Sequence, residues 1–198
     1  MIRIFSLMKK LFLIAGCNGA GKTTASYTIL PEILDCKEFV NADEIARGLS
    51  PFQPEKTGIE AGRLMLQRIK SLIQSGENFA FETTMATKTH VNLLKKAKEN
   101  GYRVTCLFFW LRSPELALSR VQHRVKEGGH NIPEEVVKRR YKNGLKHFFE
   151  LYLPFLDNWL FVNNSGEDYE IIAEGSIEGV NIHNKELWNR IKANYHEN

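Results

Sequence analysis

The sequence predicts an α/β fold in which helices cover a mainly parallel sheet. Short apolar runs of strand length alternate along the chain with longer segments of helical period, as is typical of such sheets. The first apolar run leads directly into a glycine-rich turn and then into a helical segment. The chain contains no repeats, no low-complexity linker and no change in composition. We therefore expect a single domain over residues 1–198.

The predicted strands are the short apolar segments of this pattern. They fall at 10–15, 38–41, 78–82, 102–111, 159–163 and 170–173, with 177–181 as a further candidate in the tail. The segment 102–111 is the most apolar of them, which indicates a strand buried on both faces.

The predicted helices are the longer segments between these strands. They fall at 22–30, 42–48, 60–74, 87–100, 113–127, 131–152 and 185–195. Pro31 is expected to stop the first helix, because proline lacks the N–H that a helix interior needs. Ser113 and Pro114 are typical of a helix start, since serine caps free N–H groups and proline fits the first helical position.

The composition is that of an ordinary soluble globular protein. Of 198 residues, 43% are hydrophobic and 25% are charged, and Lys and Arg outnumber Asp and Glu by 27 to 23. This excess is too small to indicate a nucleic-acid partner, although it fits a local site for an anion. The three cysteines form no C-x-x-C pair, which argues against a disulfide framework or a zinc site and favours the cytoplasm.

The N-terminal segment predicts neither a membrane span nor a signal peptide. Its apolar run is far shorter than the roughly 20 residues that a spanning helix requires, and no small-residue cleavage site follows it. Met8 precedes Lys9 and Lys10, so it is an alternative start to Met1.

Residues 16–23, GCNGAGKT, match the phosphate-loop pattern G-x-x-x-x-G-K-[ST] without a mismatch. Glycines let backbone N–H groups curl around phosphate oxygens, and the next helix presents its positive end to the same anion. Lys22 is expected to reach the β and γ phosphates, and Thr23 to bind Mg²⁺. The alternative is a glycine-rich turn that matches by chance. The predicted ATP-binding residues are Gly16, Asn18, Gly19, Ala20, Gly21, Lys22, Thr23 and Thr24.

Asp43 follows the second predicted strand at its carboxyl end, the edge of an open α/β sheet where ligands bind. A carboxylate there can take a proton from an acceptor hydroxyl, or help to hold Mg²⁺ through water. The alternative is that Asp43 caps the short helix that begins beside it.

Glu82, Thr83 and Thr84 end the third predicted strand at the same edge. Glu82 is expected to orient a metal-bound water or to bind substrate hydroxyls, and the two threonines to donate to the substrate. The alternative for Glu82 is again a helix cap.

Four arginines lie on two predicted helices that a Gly-Gly-His-Asn segment joins, and we call residues 113–152 the lid. Phosphoryl transfer needs cations on the spreading charge of the γ-phosphate, so a Gly-hinged pair of basic helices is typical of a closing lid. The alternative is a solvated basic face. The arginines are Arg120, Arg124, Arg139 and Arg140, and His130 is a further contact candidate.

These motifs together resemble zeta-toxin-type kinases, in particular their small bacterial predicted-ATPase relatives. The matching segments are 16–24, 41–51, 79–84 and 120–141. The resemblance implies a P-loop NTPase fold of the kinase type, with three layers and a helical lid. It implies transfer of the ATP γ-phosphate to a small-molecule hydroxyl, in zeta toxins that of UDP-N-acetylglucosamine, with Asp43 as the base and Glu82 and Thr84 facing substrate.

The chain departs from the zeta-toxin pattern at three positions. Ala86 and Leu66 stand where the family has a substrate-side Arg and Glu, and His130 stands at the second lid Arg, so that Arg139 or Arg140 would have to substitute. Transfer to a hydroxyl is therefore better supported than a sugar-nucleotide acceptor.

Three functions are consistent with the sequence. The first is an Mg²⁺-dependent, ATP-using small-molecule kinase. The second, from the resemblance alone, is the toxin of a toxin–antitoxin pair, whose partner would be an antitoxin protein. The third is a nucleic-acid end kinase, and it ranks last because no stripe of basic and aromatic residues is visible.

Overall fold

The structure is a computed structural model that describes residues 8–129 and 131–196. Met1, the alternative to Met8 as the start, and His130, a proposed lid contact, therefore lie outside the described residues. Within those ranges, no helix is long and apolar enough to cross a membrane.

The described chain builds one seven-stranded sheet. Its strands are β1 (Lys9–Gly16), β2 (Glu38–Val40), β3 (Phe79–Thr83), β4 (Tyr102–Trp110), β5 (Asn158–Asn163), β6 (Glu170–Ser176) and β7 (Gly179–Ile182). Their order is β2-β3-β1-β4-β5-β6-β7. The first five strands in this order are parallel, while β6 and β7 continue the sheet antiparallel. This arrangement confirms the predicted α/β class with a mainly parallel sheet.

Helices cover both faces of the sheet, which gives three layers. They are α1 (Lys22–Thr28), α2 (Ala42–Leu49), α3 (Gly58–Ser75), α4 (Thr89–Glu99), α5 (Pro114–Lys126), α6 (Glu134–His147) and α7 (Lys185–His196). Alternate residues of β1 enter two separate cores: Leu11 and Leu13 face the core that α3, α4 and α7 cover, and Phe12 and Ile14 face the core that α1 and α5 cover. This two-sided burial is why the strands read as continuous apolar runs.

An aromatic cluster fixes the end of the lid against the sheet. The ring centroid of Phe148 lies 4.8 Å from that of Phe108 and 5.4 Å from that of Phe161. Phe148 belongs to a π-helical turn, Phe148–Tyr152, that directly follows α6. Such aromatic pairs stabilise a fold by about 0.5–1.5 kcal/mol each beyond area burial. The carboxyl-terminal end of α6 is therefore anchored.

Three predicted helix boundaries were wrong, and each of them lies beside a proline or a π-helical turn. Pro31 does not stop the first helix: α1 ends at Thr28, and the chain continues as a π-helical turn, Ile29–Ile33, closed by the Leu34 N–H on the Ile29 carbonyl at 3.0 Å. The wider turn accommodates a residue that an α-helical interior excludes. The second lid helix begins only at Glu134, after Pro133, and ends at His147 rather than at 152.

Candidate active site

A cavity of about 1110 Å³ opens at the carboxyl ends of the parallel strands. Four parts of the described chain form its walls: the phosphate loop (residues 16–23) with α1, the end of β3 with Glu82, the lid with helices α5 and α6, and α2 with the short 3₁₀ turn Pro54–Thr57 and the start of α3. The phosphate loop follows β1, which lies between β3 and β4, so the site sits at the centre of the sheet edge. Ligands bind at this edge in open α/β sheets.

Glycine is required in the phosphate loop by contact as well as by backbone conformation. Gly16 has φ of 134°, and a Cβ there would stand 2.2 Å from the carbonyl oxygen of Phe109. Gly19 has φ of 77°, and its Cβ would stand 2.7 Å from the Ala117 carbonyl oxygen on α5. Any side chain would therefore push the loop away from β4 or from the lid.

A buried network centred on Glu82 joins the predicted ATP and Mg²⁺ residues. One oxygen of the Glu82 carboxylate accepts hydrogen bonds from the Thr23 hydroxyl at 2.7 Å and from the Asn41 side-chain amide at 3.0 Å. Its other oxygen lies 3.4 Å from Nζ of Lys22, which also donates to the Cys17 carbonyl at 2.9 Å. The structure thus brings Lys22, Thr23 and Glu82 together.

The donor atoms of this network suit Mg²⁺. The Thr23 hydroxyl and the Glu82 carboxylate are hard oxygen donors, the type that Mg²⁺ prefers, and this ion usually takes its other ligands from phosphates and water. Thr23 and Glu82 are accordingly the residues that would hold the ion beside the phosphate loop.

Asp43 lines the same cavity from the first turn of α2, and its side chain is exposed. The cap of α2 is Asn41 rather than Asp43, because the Asn41 side-chain oxygen accepts the Asp43 backbone N–H at 2.8 Å. The Asp43 carboxylate is therefore not used as the cap of its own helix, which removes the alternative interpretation of this residue.

Three of the four predicted lid arginines line the cavity: Arg120, Arg124 and Arg140. Nη1 of Arg140 donates to the Asn18 side-chain oxygen at 3.2 Å and so connects α6 to the phosphate loop. Burial lowers the pKa of Arg140, and the Asp43 carboxylate opposes that shift. Arg139 is exposed and is not part of the cavity lining, because it lies on another face of α6.

The structure does not bring Thr83 and Thr84 into the cavity lining. Thr83 is buried, and its hydroxyl oxygen accepts the Met85 N–H at 3.0 Å and lies 3.2 Å from Nδ1 of His90. The Thr84 hydroxyl accepts the Ala86 N–H at 3.5 Å. Both hydroxyls serve the turn that leaves β3, so the predicted substrate contacts of these threonines gain no support from the geometry.

Asn41 and Asn164 contribute to the site without having been predicted. The Asn164 side-chain amide donates to the Ala20 carbonyl at 2.9 Å, and its backbone N–H donates to Trp110 at 2.9 Å. Asn164 thereby holds the interior of the phosphate loop, where Ala20 is fully buried. The signal for both asparagines was their position: each directly follows a parallel strand at the edge where the site lies.

The strand order, the phosphate loop and the helical lid define this chain as a P-loop NTPase of the kinase type. A model of the family described as Zeta toxin matches residues 6–174. The chain therefore belongs to the Zeta toxin family, whose members include ATP-using phosphotransferases of the kinase and toxin type.

Several known proteins are similar to this chain. An uncharacterized protein of Haemophilus influenzae is 30% identical over 139 residues, which are 70% of this chain and 97% of that protein. The AvrRxo1-ORF1:AvrRxo1-ORF2 complex superposes with a TM-score of 0.77 in a structure with sulphate ions and 0.74 in one with ATP, at 18% identity. In both, the match covers 94% of this chain but 64% of the other, so the chain spans less than two thirds of that relative.

A structure of the PezAT chromosomal toxin–antitoxin system of Streptococcus pneumoniae superposes with a TM-score of 0.68 at 16% identity. That match covers 97% of this chain and 86% of the other. At these identities the superpositions establish the shared fold.

Proposed function

We propose that this chain is a cytoplasmic, Mg²⁺-dependent kinase that transfers the γ-phosphate of ATP to a hydroxyl of a small molecule. One observation carries the proposal: Lys22 of the phosphate loop, the Asp43 carboxylate and three lid arginines line one cavity. The three cysteines are all free and buried, which supports a reducing compartment.

The nucleotide side of the reaction follows from the positive charges. Backbone N–H groups of the phosphate loop and Lys22 bind the phosphates, while Arg120, Arg124 and Arg140 offset the charge that spreads over the transferring group. Bound Mg²⁺, held through Thr23 and Glu82, would supply further charge neutralisation on the phosphates. Lys22 exchanges its bond to the Cys17 carbonyl for phosphate oxygens when ATP binds.

The acceptor side follows from Asp43. Its carboxylate takes the proton of the acceptor hydroxyl as the new oxygen–phosphorus bond forms, and the bond between the γ-phosphorus and its bridging oxygen breaks to release ADP. The side-chain amide of Asn41 makes two hydrogen bonds: its oxygen accepts the Asp43 backbone N–H, and its nitrogen donates to the Glu82 carboxylate. These two bonds fix the position of the base relative to the phosphate loop.

Labelling of a metabolite pool tests the proposal. The purified protein is incubated with a small-molecule extract and ATP labelled at the γ-phosphate, and labelled products are identified by mass spectrometry. We expect one labelled product class that depends on Mg²⁺ and is absent with Lys22→Ala. Label found only as inorganic phosphate would contradict transfer to a small molecule. A UDP-N-acetylglucosamine-like sugar nucleotide, which the resemblance implies, is one candidate acceptor in this extract. A nucleic-acid end as acceptor would be tested separately, with an added oligonucleotide.

A second candidate function is the toxin of a toxin–antitoxin pair. It is supported by the Zeta toxin family match and by the superposition on a structure of the PezAT toxin–antitoxin system. The test is to express the chain alone and to inspect the neighbouring reading frames for a small helical protein. Growth arrest that Lys22→Ala abolishes and the neighbouring protein relieves is the expected result. Normal growth at high expression would contradict it.

A further inference from the structure

A second cavity, of about 580 Å³, lies beyond the carboxyl end of β4, apart from the active site. The β4–α5 connection, the start of α5, one face of α6 and the helix α7 form its walls. Among the described residues, none lines both this cavity and the active-site cavity. We call it the basic cavity after four of its lining residues, Arg112, Lys138, Lys142 and Arg190, which face a single lining carboxylate, Glu115.

Nearby carboxylates offset only part of this positive charge. Glu134 neutralises Lys138, because its carboxylate oxygen lies 2.6 Å from Nζ, and Glu135 acts on the same lysine from outside the lining. Glu115 is engaged at the start of α5, where hydrogen bonds from its own backbone N–H and from Ser113 lower the pKa of its carboxyl group. Three cations therefore remain against the one carboxylate of Glu115, which leaves a net positive charge in the cavity.

These three cations are Arg112, Lys142 and Arg190, and none of them forms an ion pair with another described residue. They belong to three different parts of the chain, the β4–α5 connection, α6 and α7, yet they line one cavity. Like charges repel each other, so a bound anion would remove a free-energy cost of this arrangement. Arginine suits phosphate and carboxylate groups in particular, because its guanidinium can donate two parallel hydrogen bonds to them.

The base of the basic cavity is apolar and firmly held. Trp110, Leu145 and Ile191 line it and are all buried. The Tyr141 hydroxyl donates to the Leu111 carbonyl at 2.7 Å, which fixes the ring of this further lining residue. Small-molecule sites typically have about 300–1,000 Å³ of space, an apolar lining and a few placed polar groups. The basic cavity meets this description, and its apolar base suits a ligand that carries its anionic groups on a carbon skeleton.

We propose that the basic cavity is a second ligand site, which binds a small organic anion with at least two negative charges on phosphate or carboxylate groups. This inference goes beyond the proposed kinase function and does not depend on it. Lys138 and Lys142 lie one turn apart on one face of α6, whereas Arg140, between them in sequence, lines the active-site cavity. A ligand in the basic cavity would therefore contact the same helix that supplies Arg140 to the active site.

Titration calorimetry tests the site with two probes, citrate for the carboxylate class and fructose 1,6-bisphosphate for the phosphate class. The protein is first saturated with ADP in the absence of Mg²⁺, so that the active-site cavity is filled and the probes have no metal to chelate. We expect at least one probe to bind with a Kd below about 1 mM. The probe that binds more tightly identifies the anionic group that the site prefers. Weaker binding of both probes would overturn the inference and would leave the kinase function untouched.

Two double variants with the same change in net charge locate the binding. Lys142→Gln with Arg190→Gln removes two cations from the basic cavity, whereas Lys96→Gln with Lys185→Gln removes two exposed cations outside its lining. All four side chains are exposed, so both double variants should fold as the wild type does. The first should weaken the tighter probe by about tenfold or more, and the second by less than about twofold. Equal weakening by both would mean that the probe responds only to overall charge, which would overturn the proposed site.

Discussion

Two walls of the cavity differ in how firmly their charged side chains are held. The nucleotide wall consists of the phosphate loop with the end of β3, α5 and α6, and the acceptor wall consists of α2 and the 3₁₀ turn Pro54–Thr57. On the nucleotide side, Lys22 is buried and Glu82 is nearly so, and hydrogen bonds tie them to the ends of β1 and β3. On the acceptor side, Asp43 and Glu55 are exposed on α2 and on a 3₁₀ turn. Substitution of a buried side chain that is hydrogen-bonded at the sheet edge disturbs the fold, whereas substitution of an exposed side chain on α2 does not. We therefore expect the residues that bind phosphate to be held rigidly, and the residues that face the acceptor to tolerate substitution.

The largest expected effect lies on the nucleotide wall. Lys22→Ala should reduce phosphate transfer by on the order of 10⁴-fold or more, because Lys22 is the one cationic side chain in residues 16–23. Steady-state release of ADP in the presence of acceptor measures the change. Lys96→Ala, which alters an exposed residue of α4, is the matched control and should retain wild-type turnover. Comparable rates for the two variants would remove the phosphate loop from the mechanism.

Asp43→Asn tests whether the carboxylate of the acceptor wall takes the proton of the acceptor hydroxyl. Asparagine keeps the size of the side chain but cannot take a proton, so kcat should fall by about 10³-fold. The affinity for ATP, measured by titration calorimetry, should stay within a few-fold of the wild type. Wild-type turnover would show that Asp43 is not the base, and a parallel loss of ATP affinity would place it on the nucleotide wall instead.

Adjacent arginines of the lid give a sharper comparison. Arg140 lines the cavity and bonds to Asn18, whereas Arg139 is exposed outside it. Arg140→Gln should lower kcat by about 10²-fold, the usual effect of removing one donor from a developing charge. Arg139→Gln should stay within about twofold, as for most exposed substitutions. The reverse ranking would contradict the assignment of Arg140, rather than Arg139, to the transferring phosphate.

The smallest expected effect concerns stability beneath the site. Burial lowers the pKa of His90 from 6.5 to about 4, so the folded chain keeps the ring neutral while the unfolded chain protonates it near pH 6.5. Stability from this residue is complete above pH 6.5 and is lost as the pH falls toward 4. Between pH 7 and pH 5 the loss should be about 2 kcal/mol.

Urea unfolding at the two pH values measures this loss, with His90→Gln as the comparison. The glutamine variant should be less sensitive to pH by that amount. Equal pH dependence in both proteins would show that His90 does not control it. Nδ1 of His90 lies 3.2 Å from the Thr83 hydroxyl oxygen, so protonation of the ring would act on the turn that leaves β3.

Local patterns in the sequence were enough to place the phosphate loop, Asp43 and Glu82 at one edge of the sheet. The phosphate loop is a continuous motif between a strand and a helix. Glu82 is the penultimate residue of β3 and Asp43 lies three residues after β2, so the position of each can be predicted without knowledge of distant contacts. The α/β class could be predicted for the same reason, because a strand that is buried on both faces is a continuous apolar run, and each run is visible in the sequence by itself.

Long-range packing decided what the sequence could not predict. Arg139 and Arg140 differ by about 100° around α6, and only the contacts of that helix determine which of them faces the cavity. The Asn164 bond to Ala20 joins residues 144 positions apart. The π turns after α1 and α6 likewise depend on how the chain packs past Pro31 and Phe148.

The most direct test of the central claim is transfer of the labelled γ-phosphate from ATP to a metabolite, with the wild type and Lys22→Ala side by side. The account predicts a labelled metabolite that forms with the wild type in the presence of Mg²⁺ and is missing with the variant. Equal labelling by both proteins, or ATP cleaved to free phosphate with no labelled metabolite, would contradict it.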